Sequence, residues 1–305
     1  MTHFIKPNLL KPLIIILLAS LGLVFVVILT KIDYGCDWTG FGHCITQKQE
    51  DTEVRPSKTL WDWMNLLIVP FVLAIGGILY SRVEKQIEQN RNDENIQETV
   101  LSTYLERISS LLLENNLGDE DIHTPARDVA LGWTMMVMPR LNGRRKGVAL
   151  QFLYGSNLLN KENPILTLGD VNLDGISLNA WLEGIYLNGA SMKNADLEGC
   201  YLWGSDLSAT YLEGANLEKA NLGEINLENA FLEGANLKTF SISGNLKGVR
   251  LKNADLRGTD LSCVDLSEAD LEGAKVTQEQ LSQALSLENA ILPDGSKSNL
   301  ASNQL

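Results

Sequence analysis

Histidine and cysteine are scarce in this 305-residue sequence, three and four residues respectively. That leaves little material for a metal centre or a nucleophilic triad, and no cofactor site follows from the residues present. Basic residues are outnumbered, 25 Lys and Arg against 38 Asp and Glu, for a formal net charge of −13. Phosphate contacts need a basic surface, so direct nucleic-acid binding is not expected. Long apolar runs are missing everywhere except in the first eighty residues. The length allows two or three modules.

The first apolar run, Pro12 to Thr30, holds nineteen residues without a charge. That is enough helix to cross a bilayer. Lys31-Ile32-Asp33-Tyr34 follows it, a poor cleavage site for a signal peptide. The second run, 60–80, has Trp61, Trp63 and Tyr80 placed to sit at the two interfaces, with Pro70 as a kink. Asp62 and Asn65 are read as interfacial residues, with a polar role inside the membrane as the alternative. Together the runs predict a transmembrane hairpin over residues 1–81, in contact with bilayer lipid. Cys36 and Cys44, with seven residues between them in GCDWTGFGHC, would form a disulfide if the loop faced an oxidising compartment. A metal site at Cys36, His43 and Cys44 is disfavoured because no fourth ligand is apparent. This arrangement leaves both termini cytoplasmic.

Residues 82–163 read as a helical connector. Ile96, Val100, Tyr104, Ile108 and Leu111 recur at helical spacing, widened by Leu101, Leu105 and Leu112. Thr124-Pro125 opens a second helix to about Met138, and a third apolar segment covers 147–159. Between them, Arg144, Arg145 and Lys146 read as a solvated basic turn. Trp133, Met135, Met136 and Met138 read as core packing.

From residue 164 to 276 the chain repeats every five residues, as in ADLEG, TYLEG, ANLEK and AFLEG. Twenty-three central positions run from Leu168 to Val276; twenty are leucine, and the others are Met192, Ile242 and Val276. Two residues before each centre, fifteen of the twenty-three hold a small residue, ten of them alanine. A period of five does not match the three-and-four spacing of an amphipathic helix. It does place one large and one small side chain inward per five residues, filling a narrow square bore. Two steps are one residue short, Leu178 to Leu182 and Ile242 to Leu246, and Phe240 stands where a small residue is usual. Both short steps are read as local corner deletions, with a bulge at Phe240. Residues 277–305 form a cap and tail, with Thr277 as the N-cap of a short helix and 285–293 lying over the last coil.

The pattern resembles the pentapeptide repeat family, consensus A(D/N)LxX. The resemblance implies a right-handed quadrilateral β-helix of five to six coils, an α plus β-solenoid architecture overall. The segments YLERISSLLLENNL and RLNGRRKGVALQFLY are similar to the connectors of membrane-anchored members common in cyanobacteria, which implies a bacterial plasma or thylakoid membrane. Some rods of the family resemble duplex DNA and bind DNA gyrase. Residues 164–305 carry 20 acidic and 9 basic side chains, so a DNA-mimicking gyrase binder is one alternative. An accessory subunit of a transport or photosynthetic complex is another.

With four repeats per coil, one face collects Trp181, Tyr201 and Trp203, followed by Ser241, Ser243 and Ser262. Trp181 should stack on Tyr201, and Tyr211 on Phe231 on the opposite face. Exposed aromatics in a weakly charged patch are the usual energetic centres of protein contacts. The expectation is a non-catalytic, membrane-anchored scaffold whose Trp181/Tyr201/Trp203 patch binds a protein partner or docks the connector.

Overall fold

The computed structural model describes residues 60–114, 117 and 125–298. The chain divides into two compact units, 1–89 and 90–305. Helix α1 covers Leu60–Glu114, α2 Pro125–Val137 and α3 Gly143–Gly155, with a single 3-10 turn at Met138–Arg140. The run 12–30 and the Cys36/Cys44 loop lie outside the described residues.

The expected span at 60–80 falls on the beginning of α1. Among the described residues no helix is long and apolar enough to cross a membrane. The apolar stretch is diluted by Gly76 and Gly77, and α1 runs on without a break into the charged segment that begins at Arg82. The described residues therefore do not support the transmembrane hairpin.

In the second unit the stripe on α1 is buried where its centre was expected. Leu101, Tyr104 and Ile108 are inside, while Ile96 at its edge is exposed. Tyr104 Oη lies 2.9 Å from Thr134 Oγ1, which itself donates to the Ala130 carbonyl at 2.7 Å. Burial pushes the Tyr104 phenol up to about 12, so the neutral form belongs to the fold. The methionines divide: Met138 is buried, whereas Met136 is exposed beside Trp133.

The basic turn is not a turn. Asn142 caps α3, its side chain accepting from the Arg145 amide at 3.0 Å, so the helix starts at Gly143 and the three cations occupy its first turn. Arg145 bridges Glu94 at 2.8 Å and Glu98 at 3.3 Å. Lys146 is buried and donates to the Asp174 carbonyl at 2.7 Å; loss of solvent lowers its pKa from the ordinary lysine value.

Beyond residue 164 the backbone winds as a four-sided parallel solenoid. Ser191, Asp196, Tyr201 and Asp206 bridge Tyr211, Asn216, Asn221 and Asn226, each pair twenty residues apart. Alternate amides and carbonyls join the coils, as in Leu197 N to Asn216 O and Asn216 N to Ala195 O, both 2.8 Å. Corners are tight turns in which the central residue accepts from the inward residue three positions later, as Leu212 O does from Ala215 N at 3.0 Å. Every central residue from Leu168 to Leu271 is buried. The bore is thus a stack of central leucines against smaller inward residues, alanine the commonest.

The short steps behave as corner deletions. Bridges that cross the first are nineteen residues apart, Asn172 to Ser191 and Ser177 to Asp196, and spacing returns to twenty at Trp181 and Tyr201. The second lies where strands β1 (Leu222–Asn226), β2 (Ser241–Asn245) and β3 (Asp260–Asp265) form one parallel sheet. Leu222 pairs with Ile242 but Ile225 with Gly244, so β2 takes three residues where β1 takes four. Gly244 makes this possible, with a φ of 123° and no room for a Cβ beside the Ile225 backbone. Just before β2, Phe240 turns outward, 84 % exposed, and Thr239 fills the inward place. That is the expected bulge.

Both ends of the solenoid are covered, as open strand edges require. At the start, Gly143 O accepts from Ser177 N at 2.9 Å and Leu159 O from Tyr186 N at 2.8 Å. Leu150, Leu153, Leu158 and Leu159 are fully buried there. At the far end, α4 (Gln278–Ser282) carries a capping box between Thr277 and Gln280. Residues 285–293 do more than lie over the last coil. Ser286 and Ile291 bridge Asp265 and Asp270 in parallel, extending the ladder past 276, and Ile291 then pairs antiparallel with Lys297.

Candidate interaction surface

The Asx column explains itself structurally. Asp206 Oδ1 accepts the Ser208 amide at 2.9 Å and the Asn226 side-chain amide at 3.2 Å. Asp260, Asp265 and Asp270 accept the amides of Ser262, Ser267 and Glu272 in the same manner, and Asp196 accepts from Asn216. Asp206, Asp260, Asp265 and Asp270 thus each close a local turn at a corner, while Asp196 ties its coil to the next. Asp255 goes furthest: a bidentate pair with Arg257, at 2.9 and 2.7 Å, holds its carboxyl well below the usual carboxylate range. Cys200 points into the bore, where burial pushes its thiol pKa up, and Cys263 is exposed.

Register brings the sequence-derived aromatics together in two pairs. Trp181 and Tyr201 stack with ring centroids 3.8 Å apart and 13° between planes; Tyr211 and Phe231 stack at 4.7 Å and 13°. The two ladders differ in what surrounds them. Lys193 Nζ lies 5.3 Å from the Tyr211 centroid, and Arg250 Cζ lies 4.6 Å from that of Phe231. The opposite-face ladder is therefore closed by a cation at each end. Both cations sit in the sequence, yet Phe231 and Arg250 align only after the nineteen-residue step is counted, so spacing by fives misses the pair.

The Trp181 ladder is open. Trp181 is 65 % exposed, and its indole N–H donates to Glu183 at 3.3 Å. Tyr201 continues to Asn221, and the same face then runs into the β1–β2–β3 sheet. Its charged residues are Glu183, Glu224 and Asp260, with no Lys or Arg at the outward repeat positions of this one face.

Trp203 departs from its partners. It is half-buried against Gly223 and lines a cleft of about 210 Å³ with Lys161, Glu162, Glu183 and Glu224. Lys161 donates to the Gly204 carbonyl at 2.9 Å through Nζ and to Gly184 O at 2.9 Å through its amide. Tyr154 Oη adds a bond to Glu183 O at 2.9 Å. The connector therefore docks at the Trp203 corner, leaving Trp181 and Tyr201 outside the contact.

The repeat is also matched by a known family model. The family model for pentapeptide repeats matches residues 168–214, 205–244 and 245–278 in eight copies. The chain carries a pentapeptide-repeat domain, and such repeats form right-handed β-helices. Rfr23, a pentapeptide repeat protein from the cyanobacterium Cyanothece 51142, is 34 % identical over 34 % of this chain and 60 % of its own, with a TM-score of 0.20. The chain thus spans less than two thirds of that relative's length. HetL, a pentapeptide repeat protein involved in heterocyst differentiation regulation in a Nostoc species, is 27 % identical over 42 % of this chain and 91 % of its own, TM-score 0.12. QnrB1, a plasmid-mediated fluoroquinolone resistance protein, is 15 % identical over 41 % and 75 %, TM-score 0.24. No curated protein matches the chain.

Proposed function

We propose that this protein is a non-catalytic scaffold whose repeat rod binds a protein partner through the Trp181/Tyr201 face. The observation that carries the reading is the open aromatic step: two stacked rings on a rigid ladder, one of them 65 % exposed. A pre-organised aromatic surface loses little side-chain entropy on binding, which is why such residues dominate contact energetics. The backbone beneath is fixed by bonds of about 2.8–2.9 Å on both sides, Leu182 N to Tyr201 O and Tyr201 N to Ala180 O. The nineteen uncharged residues at 12–30 support attachment of the N-terminal end to a bilayer.

The test uses the full chain with a photo-reactive residue at Ser262, on this face, or at Glu272, on the opposite one, in carbonate-washed native membranes. A protein adduct is expected from position 262 and not from 272. Equal adducts from both positions, or adducts from 272 alone, contradict the reading. A chain found entirely in the wash contradicts the attachment.

A further inference from the structure

Three rings in the second unit show what this molecule places over an aromatic face. Arg107 Cζ lies 4.8 Å from the Trp133 ring centroid, Lys193 Nζ 5.3 Å from Tyr211 and Arg250 Cζ 4.6 Å from Phe231. Among the described residues no cation lies over Trp181, although it stacks more closely on its neighbour than the other ladder's rings do, 3.8 against 4.7 Å. The two ladders share one architecture, an aromatic pair on successive coils. Tyr211 and Phe231 are completed by cations of the chain itself; Trp181 is not.

The surroundings of Trp181 select the missing group. The ring face attracts a cation, and tryptophan does so most strongly among the aromatic side chains. Glu183 accepts the indole N–H at 3.3 Å, adding negative charge at the ring edge, and Glu224 and Asp260 continue the same sign along the face. A positively charged side chain arriving at the ring meets the Glu183 carboxylate; Lys161, in the cleft beside Glu183 and Glu224, is held on the Gly204 carbonyl at 2.9 Å. Arginine suits the seat better than lysine, since its planar guanidinium stacks on a ring while its N–H groups reach a flanking carboxylate.

We propose that the open face of Trp181 seats an arginine side chain from a basic segment of a protein partner, with Glu183 as its carboxylate. This rests on the reading of the Trp181/Tyr201 face as the binding surface and names the chemistry of what binds there. An approaching anionic surface is repelled by the same three carboxylates.

The test measures fluorescence anisotropy of a labelled arginine-containing Gly/Ser peptide with the full chain at physiological salt, beside the same peptide carrying citrulline in place of arginine. Citrulline keeps the shape and removes the charge. Trp181→Ala and the citrulline peptide are each expected to weaken binding about 5- to 30-fold, the range of one desolvated cation–π contact. Trp181→Tyr keeps a ring and should retain most of the affinity, and Glu183→Gln should weaken it with Trp181 in place. Unchanged binding with Trp181→Ala, or equal binding of the citrulline peptide, overturns the proposal. A partner that crosslinks through position 262 but is recovered equally with Trp181→Ala also overturns it, and leaves the scaffold reading standing. Failure of the crosslink itself strikes the scaffold reading instead.

Discussion

Leu212→Ala is expected to destabilise the rod by about 3 kcal/mol, within the 2–5 kcal/mol typical of buried leucine truncation. Leu212 is fully buried, and Met192 and Leu232 hold the equivalent places on the adjacent coils. The cost depends on whether neighbours can fall into the space left behind. Here they cannot move far, because coil spacing is set by backbone bonds on both sides, Met192 N to Tyr211 O at 2.8 Å and Leu212 N to Phe231 O at 2.7 Å. The methyl groups are lost and most of the cavity remains. Val276, the one central residue only half-buried, gives the contrast: Val276→Ala should cost less than about 1 kcal/mol. Urea unfolding followed by far-UV circular dichroism measures both. A loss below about 1 kcal/mol at Leu212 would mean the bore does not grip its leucines as described.

Gly147→Ala is expected to destabilise by about 2 kcal/mol, against the direction that helix propensity alone dictates. Within a helix, alanine is favoured over glycine by about 1 kcal/mol. Gly147, however, sits in α3 where it crosses the first coil, and an added Cβ would meet the Ser177 carbonyl and the Leu178 Cβ. Overpacking typically costs about 1–3 kcal/mol, and the obstacle here is backbone, which does not swing aside. The helix must lift, and lifting exposes the Ser177 amide, now bonded to Gly143 O at 2.9 Å, and strips the cover from Lys146. Sterics should win. Amide exchange at Ser177 reads the outcome directly: Gly147→Ala should lose protection there together with overall stability. A gain of about 1 kcal/mol with protection intact would show that α3 is not seated on the coil.

The solenoid was legible because its rule is local. Each five-residue unit states its inward leucine, its small partner and its corner Asx, so the bore, both short steps and both aromatic stacks follow from counting. The departures all arise where a contact joins distant parts of the chain. Arg145 reads as a solvated cation until Glu94 and Glu98 are brought beside it, and Lys146 until Asp174 offers its carbonyl. Trp203 follows its central leucine where Trp181 precedes its own, but the repeat alone does not say that Lys161 and Tyr154 fold against the Trp203 corner and leave Trp181 exposed. The added bridges at Ser286 and Ile291 were missed because α4 inserts residues before them, though Ala290-Ile291-Leu292 keeps the family's inward pair. The run 60–80 is a different case: it opens α1, which carries straight on into charged sequence, and among the described residues no helix is long and apolar enough to cross a membrane.

The two aromatic ladders give the central claim its sharpest form. On the proposed function, the closed Tyr211–Phe231 ladder serves stability and the open Trp181–Tyr201 ladder serves binding. The deciding measurement is the yield of partner recovered by the full chain carrying Trp181→Ala or Phe231→Ala, with unfolding of each followed in parallel. Phe231→Ala removes a ring between Tyr211 and Arg250 and should cost about 1–2 kcal/mol of stability while leaving recovery unchanged. Trp181→Ala, at a ring 65 % exposed, should cost no more than about 1 kcal/mol of stability and lower recovery at least about fivefold. Full recovery with Trp181→Ala, or a loss confined to Phe231→Ala, would contradict the account.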